Sequence, residues 1–518
     1  MRIRVWSDPV PVWRDLMETA GLTGYHQPTD ALPFSSPPRE PRVTEISNAP
    51  ASTADNDPSQ LPRVLGLFDA TMVVVGSIIG SGIFVGKVGS VAKALNDFPL
   101  IVGIWIAIGI ITLCGSLALA ELCAMLPKAG GPYVYLREAY GPLTAFLWGW
   151  TEFWVVRTGS LGALACASAI YLNQVIPMSV TTQELVAIGI VVGLSAINYF
   201  STTQGAWVQN VTAVCKVGFL AGIIVLPFLL GHVDTANLAS SAELTQPASP
   251  LSGTWLMAVG AAMMAVLWPY DGWINIGPVA EEIQEPQRNL PLGLAFGMAT
   301  VILVYVGANI SYHLTLSMDE VAKSEAIASD VFRKLFGETG AKIAALGVMI
   351  STFGAVNSNM LTGPRIYFAM ARDGLLPRAL CQVHEAYSTP ANAIVIQAIW
   401  TVILMVAFYG WTNSPRDTFD GLTDSVILAG LIFYSLTVAA VYVLRQKLPH
   451  LERPYRTWGY PVTPALLLIA YAGVFLSTLL SDYKLTLAVL VLIGLGVLYY
   501  SLWGRKLALP MRTDKTDS

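Results

Sequence analysis

VVVGSIIGSGIFVG at residues 73–86 and MAVLWPYDGWINIG at residues 264–277 decide how this chain folds. Each is a long apolar run interrupted by residues that break helices: Gly80-Ser81-Gly82 in the first, Tyr270-Asp271-Gly272-Trp273 in the second. A backbone that unwinds inside a bilayer loses its internal hydrogen bonds, and water is not there to replace them. The freed groups then need a cavity, a protein partner or a ligand. Two such breaks about 190 residues apart predict a binding site near the middle of the membrane, built between two halves of one protein.

The rest of the chain fits that setting. Of its 518 residues 54% are hydrophobic and 12% charged, with a mean hydropathy of +0.57. Soluble domains carry about 25% charge. Apolar stretches long enough to cross roughly 30 Å of hydrocarbon recur throughout. They predict an all-α polytopic membrane protein with twelve spans, starting near residues 64, 99, 143, 182, 205, 251, 291, 341, 391, 424, 461 and 484.

Orientation follows the basic residues of short loops rather than the net charge of −4. Arg63, Lys128, Arg137, Arg288, Arg365, Arg372, Arg378, the basic residues from Arg445 to Arg456, and Arg505 and Lys506 fall on the side of the N-terminus. The loop 231–253 has no Lys or Arg. Both termini are therefore expected in the cytoplasm, in the cell inner (plasma) membrane. Lys87, Lys93, Arg333 and Lys334 run against the rule, and segment 319–340 is expected to form a short outer helix or lid.

Residues 1–60 have no signal-peptide pattern, and PTDALPFSSPPREPR (28–42) and NAPASTADND (48–57) are turn and linker chemistry. A disordered cytoplasmic tail is expected there, with a short amphipathic stretch at 10–19 that either lies on the membrane or plugs the inner mouth. Residues 505–518 form a second cytoplasmic tail.

Several function classes are excluded or disfavoured. There is no GxxxxGK[ST] sequence and no soluble segment large enough for ATP hydrolysis, so transport energy comes from a solute or ion gradient. His232, His313 and His384 form no metal or catalytic spacing, and the five cysteines show none either. No catalytic residue, metal, cofactor or nucleic-acid partner is expected. A channel needs a continuous polar path, whereas the breaks bracket a compact site.

At the first break, glycines permit close approach to the backbone, and free N–H groups at the start of a half-helix favour an anion. A carboxylate suits them. At the second break the half-helix ending near Trp268 offers free carbonyls to an ammonium group. Together the two ends describe an α-amino acid, with Gly80, Ser81 and Gly82 on one side and Trp268 to Gly272 on the other.

With these motifs the chain resembles the amino acid, polyamine and organocation superfamily, closest to its L-type amino acid transporter branch. The likeness rests on VVVGSIIGSGIF (73–84), PKAGGPYVYLREAYGP (127–142), VQNVTAVCK (208–216), YDGWINIGPVAEEIQEPQRNLP (270–291) and STFGAVNSNMLTGPRIYFAMARDGLLP (351–377). It covers most of residues 61–460. The resemblance implies a LeuT-like fold of two inverted five-helix repeats, 61–232 and 251–447, followed by two further spans at 461–504. It also implies that Ser81 and Gly82 bind the substrate carboxylate, that Ile78 and the carbonyls of Trp268 and Asp271 approach its amino group, and that Trp268 is an aromatic gate.

Tyr270 would bond either the substrate or a freed carbonyl. Asp271 departs from the glycine usual in eukaryotic L-type members. It would contact the amino group, favour a cationic side chain, bind a proton, or cap the second half-helix. Lys216 stands alone in an apolar span, and the resemblance puts it beside the first break, near the site that sodium occupies in cation-coupled relatives. It would replace that ion, link protonation to conformational change, or snorkel as an anchor. Asn357 and Ser358 would line the pocket floor. Glu281, Glu282, Arg288, Arg365 and Arg372 would form a cytoplasmic gate or loop network.

YLNQVIPMSVTTQ (171–183) lacks the cysteine by which heteromeric relatives join a single-span glycoprotein, so no disulfide-linked heavy chain is expected. The function expected is alternating-access transport of neutral L-amino acids, by exchange or by proton-linked uptake, with membrane lipid as the surroundings. Cationic amino acids, a polyamine, or a nontransporting amino acid sensor are the alternatives.

Overall fold

The computed structural model describes residues 63–128, 130–200, 202–244, 252–384, 387 and 389–504, with the side chains of 202–209, 503 and 504 excepted. Both expected tails, and the stretch 10–19, lie outside these residues. In chain order the helices are α1 (Leu67–Ile78), α2 (Lys87–Leu95), α3 (Phe98–Met125), α4 (Pro132–Tyr140) and α5 (Pro142–Thr151). A π-turn, Glu152–Val156, leads from α5 into α6 (Arg157–Val175), followed by α7 (Val180–Phe200), α8 (Thr202–Leu229) and α9 (Gly253–Tyr270). After a 3₁₀ segment, Trp273–Glu282, come α10 (Pro286–Thr315), α11 (Met318–Lys323) and α12 (Ile327–Arg372). The last four are α13 (Ala391–Thr412), α14 (Pro415–Lys447), α15 (Val462–Ser481) and α16 (Tyr483–Tyr499).

The chain is an all-α polytopic membrane protein, and no strand occurs among the described residues apart from two isolated bridges. Eleven helices among them are long and apolar enough to cross a membrane. The span expected from residue 64 instead appears as the 12-residue helix α1, which stops where its sequence breaks. Most other expected span starts fall within about five residues of a helix start, but α12 and α14 begin at 327 and 415, well before the expected 341 and 424, and side-chain caps mark several of the starts. Asp97 accepts the Leu100 N–H at 2.8 Å ahead of α3, and Ser252, Ser414 and Asp482 cap α9, α14 and α16 in the same way.

Each half of the chain opens on a broken span, and the long helices then pair across the halves, α3 with α10 and α6 with α12. The short outer segment expected at 319–340 is α11 plus the first turns of α12. Gly337, with φ +66°, kinks that helix before the span proper begins. A positive φ suits glycine, which has no Cβ to clash.

The charges that run against the positive-inside rule are mostly paired. Lys87 lies 2.8 Å from Asp424 and 3.3 Å from Asp420, Arg333 binds Asp330 and Glu338, and Lys334 lies 3.5 Å from Glu320. On the opposite face Arg365 meets Glu282 at 2.7 and 3.2 Å, and Arg137 is bonded to Asp373. The expected loop network thus includes Glu282 with Arg365. Arg288 reaches only its neighbour Glu285, at 3.6 Å, and Arg372 stacks on Phe368.

Candidate functional site between the two broken helices

The first break runs from Ile79 to Gly86. Ile79 is extended (φ −72°, ψ 90°), and one turn re-forms where Phe84 and Val85 donate to the Ser81 carbonyl at 2.9 Å. The following helix begins at Lys87, so Gly80, Ser81 and Gly82 precede it rather than form its first turn. Side chains of other helices take up the stranded carbonyls. Lys216 Nζ donates to Gly76 O at 2.9 Å, Tyr305 to Ile78 O at 3.1 Å and Ser351 to Gly80 O at 3.0 Å. Tyr312 donates to Ile83 O at 3.3 Å, and Tyr171 to Phe84 O.

The N–H groups are treated differently. Among the described residues, those of Gly80, Ser81 and Gly82 have no acceptor, and all three residues line a cavity. A buried N–H without a partner costs on the order of 1–3 kcal/mol. The break therefore combines carbonyls bonded by side chains of other helices with unpaired N–H donors on residues that line a cavity, which suits an anion.

The second break closes the other side. Tyr305 also lies 3.0 Å from Pro269 O, so one hydroxyl serves both breaks. Gly272 is left-handed (φ +109°), and a Cβ on it would stand 2.6 Å from Ser77 O. A Cβ on Gly82 would stand 2.7 Å from Pro269 Cα. These two glycines serve backbone-to-backbone contact between the broken helices, in addition to any approach by a ligand.

The cavity has a volume of about 30 Å³, room for roughly two waters. Ile78, Gly80, Ser81, Gly82, Trp268, Asp271 and Gly272 line it, as the sequence predicts. Trp268 lies over Ser81, its indole Nε1 3.3 Å from Ser81 Oγ, and its ring meets Phe419 edge-on at 6.2 Å. Asp271 accepts the Tyr434 hydroxyl at 2.9 Å, and Gly272 rather than Asp271 stands at the N-cap of the 3₁₀ segment. The Trp268 carbonyl already takes the Asp271 N–H at 3.1 Å, leaving its second lone pair.

Three expected site residues lie elsewhere. Tyr270 turns away from this cavity to pack against Trp105 and Tyr305, with ring centroids at 5.9 and 5.2 Å, because helical rotation puts its neighbour on the cavity face. Ser358 sits one layer back, bonded to Ser77 at 2.7 Å, and Asn357 accepts from Asn198 of α7 at 2.8 Å. The next residue on α12, Asn359, reaches the cavity instead. Lys216 does not line it; buried behind α1, it reaches the first break through Gly76 O.

Ser77, Ser160, Leu164 and Asn275 also line the cavity without being singled out by sequence pattern. Below it Arg157 donates to Glu152 at 3.0 Å and to Asn359 at 2.5 Å, and both charged side chains are almost wholly buried. Opposite charges five residues apart inside an apolar span were the sequence signal for this pair.

The amino acid permease family model matches residues 65–498. The serine/threonine exchanger SteT of Bacillus subtilis (strain 168) is 32% identical over 88% of this chain and 99% of its own length. The human b(0,+)-type amino acid transporter 1 is 30% identical over 91% and 94%. The rabbit large neutral amino acids transporter small subunit 2 is 31% identical over 80% and 75%. The chain belongs to the amino acid permease family and is a membrane transporter of amino acids, not an enzyme.

Proposed function

We propose that this protein carries small neutral L-amino acids across the cell membrane by alternating access, exchanging one for another. The observation that carries this reading is the asymmetry of the first break. Five of its carbonyls are taken by Lys216, Tyr305, Ser351, Tyr312 and Tyr171, whereas the N–H groups of Gly80, Ser81 and Gly82, residues that line the cavity, have no acceptor among the described residues. A substrate carboxylate would take those donors, and its ammonium would lie toward Ile78 and the carbonyls of Trp268 and Asp271. The preference for a small side chain rests on likeness to SteT, a serine/threonine exchanger.

In this reading residues 61–232 and 251–447 are inverted repeats, each led by its broken span, and residues 461–504 stand outside them. Lys216 is a fixed internal cation whose ammonium holds α1 at the break, which removes the need for sodium. Trp268 closes the outer path over the substrate. Both termini are cytoplasmic, and the pairing of Lys87, Arg333 and Lys334 with carboxylates supports that orientation. Surrounded by membrane lipid, the chain works without a disulfide-linked heavy chain.

A second reading rests on Asp271, which brings a carboxylate to the cavity. It would admit a cationic side chain or carry a proton in symport. The deciding experiment is uptake of labelled amino acids into proteoliposomes, preloaded or empty, with and without an inward proton gradient. Uptake that needs internal amino acid supports exchange. Uptake into empty vesicles driven by protons replaces exchange with symport, and binding without flux makes the protein a sensor.

A further inference from the structure

We propose that Arg157, clamped by Glu152 across the π-turn, orients the Asn359 carboxamide so that its N–H forms a side-chain subsite for a hydroxyl-bearing amino acid. The inference rests on the reading that the cavity takes an amino acid, and it adds what selects the side chain. In the π-turn the Arg157 N–H bonds the Glu152 carbonyl, five residues back. That spacing brings the two side chains together, with Arg157 Nε 3.0 Å from Glu152 Oε2, at 3% and 0% exposure. Such turns recur at functional sites in membrane and soluble helices.

The clamped guanidinium then reaches α12, with one terminal nitrogen 2.5 Å from Asn359 Oδ1 and 3.2 Å from Thr362 Oγ1. A guanidinium only donates, so the amide atom facing it has to be oxygen. The Asn359 nitrogen is thereby turned away from Arg157. One of its N–H groups reaches Ala355 O at 3.2 Å, and the other is left for the cavity that Asn359 lines.

Ser81, whose Oγ accepts from Trp268 Nε1 at 3.3 Å, and Asn275 belong to the two broken helices, and the hydroxyls on the packed helices around them are engaged. Ser77 and Ser358 share a bond at 2.7 Å, and Ser160 donates to Val156 O at 2.7 Å. Asn359 is therefore the donor of the packed scaffold that is both oriented and unspent. A substrate hydroxyl satisfies it, whereas a methyl in the same place leaves it buried and unpaired.

The test uses the full chain in proteoliposomes and the isosteric pair L-threonine and L-valine, each competing against labelled L-alanine uptake. Wild type is expected to prefer threonine by about tenfold, the value of one buried hydrogen bond. Asn359→Ala should bring that ratio close to one, the reading being the threonine-to-valine ratio and not the absolute alanine flux. The paired variant Glu152→Gln/Arg157→Gln leaves no buried charge unmatched and should lower the ratio as well. A purely structural role for Arg157 would reduce alanine, threonine and valine uptake alike, and that result overturns the proposal. So does a threonine preference that survives Asn359→Ala but collapses in Asn275→Ala, because the donor then belongs to the broken helix. Alanine flux with no threonine preference in wild type overturns the subsite and leaves transport standing. Absence of any amino acid flux removes the transport reading itself.

Discussion

Lys216 Nζ lies 2.9 Å from the Gly76 carbonyl, tying the centre of α8 to the last turn of α1 before it breaks. The lysine is buried, and no carboxylate pairs with it among the described residues. The Gly76 carbonyl is therefore its polar anchor, with no counter-charge beside it among the described residues. Hydrogen bonds from charged groups contribute about 1.5–3 kcal/mol. Lys216→Ala should leave a folded protein with exchange slowed at least tenfold. Initial rates in proteoliposomes at matched protein density check this; wild-type rates and pH dependence would make Lys216 an anchor only.

The two breaks touch through glycine, so bulk there should be costly. Gly272→Ala places a Cβ 2.6 Å from Ser77 O at a left-handed backbone position, and Gly82→Val drives into Pro269. Each should destabilise by about 1–3 kcal/mol and abolish substrate binding. Gly189→Ala, where the added Cβ meets nothing within 4 Å, is the control and should be neutral. Thermal unfolding in detergent with and without alanine distinguishes loss of fold from loss of binding.

Lys87 of α2 is paired with Asp420 and Asp424 of α14, whose Phe419 meets Trp268, and in the proposed orientation this contact holds the outer face. Replacing both carboxylates by asparagine leaves the ammonium without counter-charge and should favour the outward-open state. The carboxylates are partly exposed, so the bias is modest, about 1 kcal/mol or a fivefold shift. A lower external half-saturation constant for uptake is the expected reading.

Arg365 on α12 makes a two-bond contact with Glu282 at the end of the 3₁₀ segment, on the face that is inner in the proposed orientation. Glu282→Gln should bias the protein the opposite way, toward inward opening, by about 1–2 kcal/mol. The internal half-saturation constant should fall while the external one rises. Equal changes on both faces would show that this pair is not a gate.

The outer segment α11 is held at its start by Ser317 and Glu320, each bonding the other's backbone N–H, at 3.3 and 2.7 Å. Desolvation works to raise the Glu320 pKa, but the Ser317 N–H and hydroxyl and the Lys334 ammonium outweigh it and hold the carboxyl below its usual value. A depressed folded-state pKa stabilises above the unfolded value, roughly 4.3, and the benefit is lost as pH falls through the folded value. Amide exchange at Val321 and Ala322 should therefore quicken below about pH 4 relative to the core of α10.

The chain by itself determined most of the apolar spans and the location of the breaks. Hydrophobic length, capping residues and the helix-breaking character of Gly80-Ser81-Gly82 and Asp271-Gly272 are local properties, set by the bilayer and the backbone. Which freed group finds which partner is not local. Tyr305 serves both breaks from α10, and Lys216 reaches Gly76 from 140 residues away. The rotation of a helix about its axis, which turned Tyr270 outward and exchanged Asn359 for Asn357 and Ser358 at the cavity, depends on packing against neighbours. Hydrophobic pattern is a poor guide to it in the membrane, because nearly every face of such a helix is apolar. Arg157 and Glu152 were legible as an expensive pair of charges. Only the π-turn and the meeting of α6 with α12 decided that they hold Asn359 at the cavity's edge.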